Sequence, residues 1–151
     1  MAQYAEADAD ADVGGWEDEL DEGTLFAHIG VGTNPINDSA DDATYIKSSS
    51  APSNVACGLD LSTVEDPAVT TGHIMRWRAM KDSAGGATIG LVVAINQTYT
   101  DETTPGTEIV STTQADLSDT IATYTDTLTG GEAGAITDYS DLTVRFVANQ
   151  T

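Results

Sequence analysis

The chain has 151 residues, of which 25 are Asp or Glu and only 5 are Lys or Arg, and its formal net charge at pH 7 is -20. This length suits one domain with a modest core. So few cations cannot neutralise the phosphates of a polyanion, which disfavours nucleic acid as a partner, and no apolar run approaches the length of a membrane span, so we expect no membrane insertion.

The acidic residues are spread along the whole chain, and lysine occurs only as Lys47 and Lys81. Self-repulsion strains a compact acidic protein unless salt screens it, and the screening length falls to about 3 Å at 1 M salt. The composition therefore indicates a protein that works in molar salt and comes from a halophilic source. The alternative is a mesophilic acidic protein that binds cations.

Residues 1–22 are acidic without a single Lys or Arg. The alternation of Ala and Asp in AEADADAD has the period of a strand, whereas its composition is typical of a solvated segment. Two alternatives follow: an arm that orders only on a partner, or an edge strand that begins near Val13. We predict a domain over residues 23–151, and since residues 1–22 lack the regions of a signal peptide, we expect synthesis in the cytoplasm.

The next part of the chain alternates apolar and polar residues in short runs separated by turn-forming residues. Residues 24–31 predict a strand or a short turn of helix, and residues 43–48 and 54–62 predict strands. In residues 54–62 one face is apolar and should enter the core; it comprises Val55, Cys57, Leu59 and Leu61. Cys57 is the sole cysteine, and we expect it to be a small buried hydrophobe.

Residues 72–97 contain the longest pair of strand patterns, joined at Ser83-Ala84-Gly85-Gly86. We predict that they form a central β-hairpin, because a Gly-Gly pair supplies the positive φ angles of a tight turn. The first arm alternates His73, Met75, Trp77 and Ala79 against Ile74, Arg76, Arg78 and Met80. The second arm has an apolar face made of Ile89, Leu91, Val93 and Ile95.

Beyond the hairpin, residues 107–115, 120–128 and 142–148 predict strands, and residues 130–139 predict about one helical turn. The last strand should turn Leu142, Val144, Phe146 and Ala148 inward. The count is about eight strands without a long helix. This pattern predicts an all-β fold, an antiparallel β-sandwich of jelly-roll-like topology, with an up-and-down barrel as the alternative.

The residues that most often carry chemistry do not form a recognised motif. His28 and His73 lack the spacing of metal ligands, and the acidic loops 37–42 and 138–141 could hold calcium or simply be solvated carboxylates. We therefore predict no catalytic, cofactor-binding or metal-binding residues, no cofactor and no enzymatic activity. An acid pair of a polysaccharide hydrolase is the enzymatic alternative.

Three of the five cations, Arg76, Arg78 and Arg145, fall in predicted strands at positions opposite the core-facing residues. We expect them to form ion pairs across strands, with a contact between subunits as the alternative.

Four segments together carry a resemblance to a known group of proteins. They are DDATYI (41–46), CGLDLSTVEDP (57–67), GHIMRWRAMKDSAGG (72–86) and TLTGGEAGAITDYSDLTVRFVA (127–148). The pattern resembles β-sandwich modules in virion proteins of tailed viruses, and the acidic composition then suggests a haloarchaeal tailed virus.

The resemblance implies a structural virion protein exposed on the particle surface, as a capsid turret, a decoration or a tail-associated module. It implies a homo-oligomer, a trimer or a pentamer, that contacts other virion structural proteins and contributes to attachment to a host surface glycan or protein. The alternative function is a carbohydrate-binding β-sandwich module, for which the candidate residues are Trp77, Tyr99 and Tyr124.

Overall fold

The computed structural model of the chain describes residues 3–20, 24–28, 45–82 and 86–151. The predicted all-β class is confirmed, since this part of the chain consists of nine strands, one 3-10 helix and one short α-helix. In chain order they are β1 (Ala7–Asp12), β2 (Trp16–Asp18), η1 (Phe26–His28), β3 (Ile46–Ser48), β4 (Val55–Leu61), β5 (Ile74–Ala79), β6 (Ile89–Gln97), β7 (Thr107–Gln114), β8 (Ala122–Thr127), α1 (Gly130–Ala135) and β9 (Leu142–Gln150). Neither helix of the described residues is long and apolar enough to cross a membrane.

The strands form one large antiparallel sheet in the order β1-β4-β9-β6-β7 and two two-stranded sheets, β2-β3 and β5-β8. The pairs β4–β9, β5–β8 and β6–β7 are nested within one another along the chain, and they alternate between the large sheet and the β5-β8 sheet. Nested antiparallel pairs shared between two layers are the topology of a jelly roll. The predicted jelly-roll-like antiparallel β-sandwich is therefore confirmed.

The predicted central hairpin over residues 72–97 is wrong in its pairing, although both of its arms are strands. β5 pairs with β8, where Trp77 lies opposite Tyr124, and β6 lies between β9 and β7 in the large sheet. The alternation within β5 is as predicted, because Met75 and Trp77 are buried while Ile74 is exposed. Both arms bury their apolar faces in one core from opposite layers, so the chain between them crosses from one layer to the other.

The core lies between the large sheet and the second layer. Leu59 and Val93 enter it from the large sheet, and Met75 and Trp77 enter it from β5. The helices complete the second layer, since η1 contacts β1 and α1 contacts β7. The buried core residues are Leu25, Cys57, Leu59, Met75, Trp77, Leu91, Val93, Ile109, Val110, Leu117, Leu128, Ala133, Val144 and Ala148.

The acidic N-terminal segment is part of the sheet: β1 pairs with β4 at its edge. The Asp10 carboxylate accepts hydrogen bonds from the backbone N–H groups of Leu25 at 3.0 Å and Phe26 at 2.7 Å. Residues 7–12 are thus an edge strand that begins at Ala7, earlier than the expected Val13, and not a free arm. The expected boundary after residue 22 lies outside the described residues.

Candidate interaction surface

The outward side of the β5-β8 sheet presents two adjacent rows of side chains. Register places Ile74 opposite Thr127, Arg76 opposite Thr125 and Arg78 opposite Thr123. Met80 continues the first row just beyond β5 and is 50% exposed, while Ile74 at the other end is 55% exposed. We call this surface the arginine face, and it comprises Ile74, Arg76, Arg78, Met80, Thr123, Thr125 and Thr127.

The inward-facing residues of β5 and β8 pack in the core and so hold the arginine face in place. Successive side chains of a strand point to opposite sides, so Met75 and Trp77 enter the core where their neighbours face outward. The Trp77 ring is 8% exposed and stacks on Tyr124, with ring centroids 5.6 Å apart and an interplanar angle of 15°. The face is therefore presented on a packed sheet and not on a loop.

The composition of the arginine face differs from that of the whole chain. It carries two of the five cations and no carboxylate, in a chain with 25 acidic residues. Arg76 and Arg78 also interact within the chain, and both remain exposed. Arg and Met are enriched in the centres of protein interfaces, whereas Asp and Glu are depleted there. The face thus has the composition of a contact surface.

Lys47, Lys81 and Arg145 each lie beside a carboxylate. Lys81 Nζ donates to Asp116 Oδ1 at 2.6 Å and to the Ala87 carbonyl at 3.1 Å. Lys47 lies 3.9 Å from Glu17 at an exposed position. Arg145 pairs with Glu102, so the expected ion pair exists there, but its partner lies in the loop between β6 and β7 and not on a strand.

Arg145 belongs to a polar cluster on the outer side of the large sheet. Its guanidinium donates to both carboxylate oxygens of Glu102, and Tyr99 Oη donates to Glu102 Oε1 at 2.8 Å. The Tyr99 ring lies over Gly58, where an added Cβ would stand 2.6 Å from ring carbon Cζ. Burial, followed by the hydrogen bond to Glu102, raises the pKa of Tyr99 above its ordinary value. The polar groups of the cluster bond to one another and hold the loop between β6 and β7 against the large sheet.

A shallow groove of about 520 Å³ lies at the ends of β6, β7 and β9 in the large sheet. Its lining contains no charged residue and is formed by Asn54, Thr88, Gly90, Leu91, Val92, Thr113, Gln114, Ala115, Val147, Asn149 and Thr151. Nothing in the described residues indicates what such a groove would hold.

The histidines do not come together with carboxylates at a metal site. His73 Nε2 lies 2.7 Å from Tyr139 Oη, while its Nδ1 is buried without a hydrogen-bond partner in the part of the chain that the structure describes. His28 is the last residue of η1. Across residues 3–20, 24–28, 45–82 and 86–151, no group of three or more His, Cys, Asp or Glu is placed to hold a metal ion.

The two acidic loops that were candidates for calcium have different outcomes. Residues 37–42 lie outside the described part of the chain. In residues 138–141, Asp138 accepts hydrogen bonds from the N–H of Ser140 at 2.9 Å and from its hydroxyl at 2.6 Å. These bonds lower the pKa of Asp138 and close a local turn. Cys57 is fully buried as expected, and burial raises the pKa of its thiol.

The three aromatic residues proposed for carbohydrate binding do not share an exposed platform. Trp77 and Tyr124 stack on each other, but on the core side of the β5-β8 sheet. Tyr99 lies on the opposite layer, over Gly58.

Comparison with known proteins identified no relative of this chain. No family model, curated protein or solved structure matches the chain. The row of Ile74, Arg76, Arg78 and Met80 was predicted from the sequence, but the threonine row beside it was missed because β5 was paired with β6. One sequence signal could have indicated this pairing. Every second residue is non-acidic in both strands, as Ile74-x-Arg76-x-Arg78 and as Thr123-x-Thr125-x-Thr127.

Proposed function

We propose that the chain is a structural protein of a virus particle, exposed on the particle surface as a capsid turret, a decoration or a tail-associated module. It is made in the cytoplasm of a host that lives in high salt, assembles as a homo-oligomer with other virion structural proteins, and contributes to host attachment. The observation that carries this proposal is the nested pairing of β4–β9, β5–β8 and β6–β7 in a jelly-roll-like sandwich.

The support from the fold is an analogy, because jelly rolls recur in viral capsid proteins and fold alone does not specify function. The acidic composition adds to it, since a net charge of -20 keeps a protein dissolved in molar salt, the medium of a halophilic virus. The arginine face adds a packed, exposed contact surface, which a module that assembles with copies of itself requires.

Lectins also use jelly rolls, so carbohydrate binding is the competing function for this fold. A glycan platform needs exposed, coplanar aromatic rings. Trp77 is 8% exposed and stacks on Tyr124 within the core layer, and Tyr99 is held by Glu102. The described residues therefore favour an assembly protein over a carbohydrate-binding module.

The proposal is tested by locating the chain in purified particles. Antibodies raised against the folded protein are applied to density-purified particles from the cells that produce it, and bound antibody is imaged by immunogold electron microscopy. We expect labelling at the capsid or the tail, removed when the antibody is first absorbed with the protein. Particles without label, from cells whose soluble fraction contains the chain, would overturn the proposal.

A further inference from the structure

We infer that β7 pairs with β7 of a second copy of this chain about a two-fold axis at Thr112, so that the two large sheets join into one. The inference rests on the self-assembly contained in the proposed function and specifies a contact that mediates it. Backbone hydrogen bonds and uncharged side chains make this contact, and the arginine face takes no part in it.

The two edges of the large sheet differ in how they resist pairing with another strand. Proteins protect a sheet edge with charged side chains and with irregular pairing. The edge strand β1 has both, since it carries Asp8, Asp10 and Asp12 and its pairing with β4 shifts register twice. Across the described residues β6 is the only strand that pairs with β7, and the one charged residue of β7 is Glu108. The edge at β7 is therefore the less protected one.

The hydrogen bonds at the start of β6 show which of its residues bond to β7. The Thr151 N–H donates to the Thr88 carbonyl at 3.1 Å on the β9 side, and the Leu117 N–H donates to the Ile89 carbonyl at 2.8 Å on the β7 side. In an antiparallel ladder the bonding direction alternates from one residue to the next. The odd-numbered residues of β6 therefore direct their N–H and C=O groups to β7.

Register then gives the direction of the backbone groups of β7. The odd-numbered residues of β6 lie opposite Val110, Thr112 and Gln114, which therefore bond to β6. Ser111 and Thr113 lie between them, so their N–H and C=O groups point to the open side of the strand. The register shift in this pairing falls before Val110, so the strand is regular from Val110 to Gln114.

These directions make β7 complementary to itself. About a two-fold axis at Thr112, Ser111 of each copy lies opposite Thr113 of the other, and such opposed residues exchange both of their N–H···O bonds. Thr112 then lies opposite Thr112 of the second copy as a non-hydrogen-bonded pair. Pairs of threonine and serine side chains are favourable across strands. The axis thus supplies a partner for every outward-pointing backbone group of Ser111 and Thr113, and no strand of another protein is needed.

A second copy can approach this edge because the contact brings no carboxylates together. Residues 109–115 contain no charged residue, and neither does the lining of the groove at the end of β7. Glu108 precedes this stretch and accepts a hydrogen bond from the Ser111 hydroxyl at 2.7 Å. The carboxylates elsewhere on the two copies repel each other only weakly in molar salt, where the screening length is about 3 Å. The contact therefore needs no attraction between opposite charges.

The size of the contact predicts a weak dimer. Five paired residues extend over about 17 Å, and an edge about 10 Å thick then gives about 170 Å². A stable interface usually buries about 800 Å² on each partner. We therefore expect the mass of the protein to depend on its concentration and the contact to close fully at high local concentration, as on a particle.

Cysteine cross-linking tests the position of the axis. In the Thr112→Cys variant the two introduced thiols lie in a non-hydrogen-bonded pair, where Cα atoms are about 4.5 Å apart, and this distance allows a disulfide. Thr123→Cys is the matched control, because Thr123 is an exposed threonine of β8. The native Cys57 is fully buried. Both variants are oxidised mildly at one protein concentration in about 3 M NaCl and compared on non-reducing gels.

We expect Thr112→Cys to form a disulfide-linked dimer about tenfold faster than Thr123→Cys or more, although Thr112 is half-buried and Thr123 is exposed. Random collisions would favour the exposed thiol. Equal rates, or faster cross-linking of Thr123→Cys, would overturn the inference.

A proline at position 113 tests the backbone hydrogen bonds. Thr113→Pro removes an N–H that points away from β6, and proline is tolerated at such edge positions. Thr113→Ala is the control, since it changes the side chain and keeps the N–H. We expect Thr113→Pro to lower the association constant about tenfold or more, and Thr113→Ala to leave it within about twofold. Sedimentation equilibrium in about 3 M NaCl measures the constant, and circular dichroism verifies the fold.

Two results of this comparison would contradict the inference. One is a wild type that stays at 15.7 kDa up to about 1 mM, and the other is a folded Thr113→Pro variant that associates like Thr113→Ala. If Thr113→Pro does not fold, the cross-linking rates decide. Failure of the inference is distinguishable from failure of the proposed function: particles that carry the chain without the Thr112→Cys cross-link would contradict only the first, and a cross-linked dimer absent from particles only the second.

Discussion

The close approach of Tyr99 to Gly58 gives a sharp test of how the loop between β6 and β7 is held to the large sheet. An Ala Cβ at position 58 would lie 2.6 Å from Tyr99 Cζ and 2.8 Å from Oη. Carbon atoms in contact are normally about 3.5–4.0 Å apart, so the ring must move by about 1 Å. That movement would lengthen the 2.8 Å hydrogen bond from Tyr99 to Glu102 beyond hydrogen-bonding distance.

The cost follows from these two contacts. A hydrogen bond to a charged group contributes about 1.5–3 kcal/mol, and replacing Gly by Ala within a strand returns about 0.5–1 kcal/mol of chain entropy. We expect Gly58→Ala to lower the free energy of unfolding by about 0.5–2.5 kcal/mol, and Tm by about 1–10 °C. Thermal and urea unfolding in molar salt measure both quantities.

A double-mutant cycle identifies the cause. In a Tyr99→Ala background the ring is absent, so Gly58→Ala should then be neutral or stabilising by up to about 1 kcal/mol. The same loss of stability in both backgrounds would refute the explanation, because the cost would then arise from the strand itself and not from the ring.

Three other substitutions have defined outcomes. Gly106→Ala should lower the free energy of unfolding by about 3 kcal/mol or more, because its φ is +68° and the added Cβ would stand 2.2 Å from the Gln97 carbonyl oxygen. Gly72→Ala, where φ is +82° but the space around the Cβ is open, should lower it by only about 1 kcal/mol. Equal losses of stability in urea unfolding would contradict this prediction. Arg145→Met should lower the free energy of unfolding by about 1–3 kcal/mol, because it leaves the half-buried Glu102 without its cationic partner. Lys47→Met removes an exposed ion pair and should change stability by less than about 0.5 kcal/mol. A larger loss from Lys47→Met than from Arg145→Met would refute the greater importance of the Arg145–Glu102 pair. The hydrogen bond from Lys81, and then that from the Ile89 N–H, lowers the pKa of Asp116 from its ordinary value of 3.8. The contribution of Asp116 to the free energy of unfolding is therefore fully present above that ordinary value and is lost as the pH falls through the folded-state pKa. Asp116→Asn should be less stable than wild type at pH 7, with the difference in stability narrowing below about pH 4, and a difference that stays constant with pH would contradict this prediction.

Alternation along the chain predicted β3 to β9 and the buried faces of β4, β5 and β9 correctly, because side-chain direction in a strand is a local property. The face of β4 with Cys57 and Leu59, and the inward row of β9 with Val144 and Ala148, are both found in the core. Partner choice is not local, and this is why the hairpin between β5 and β6 was wrong. An apolar face indicates that one side of a strand packs against the core, but it does not indicate which strand is its hydrogen-bonded neighbour.

For a related reason, the sequence left two alternatives open for the N-terminal segment, an arm and an edge strand. A run of Asp residues suggested solvation, but the Asp10 carboxylate accepts hydrogen bonds from two backbone N–H groups, and Asp12 accepts one from Gly14 at 2.9 Å. Gly58 within a strand pattern was a usable sign of close approach by another group. Its partner Tyr99 could not be identified without the topology.

The position of β9 has a consequence for how the molecule is made. The last strand along the chain lies at the centre of the large sheet, between β4 and β6, so the sheet cannot close until residues 142–150 have left the ribosome. Until then β4 and β6 both present an open edge toward the gap, the type of edge at which incomplete chains join one another.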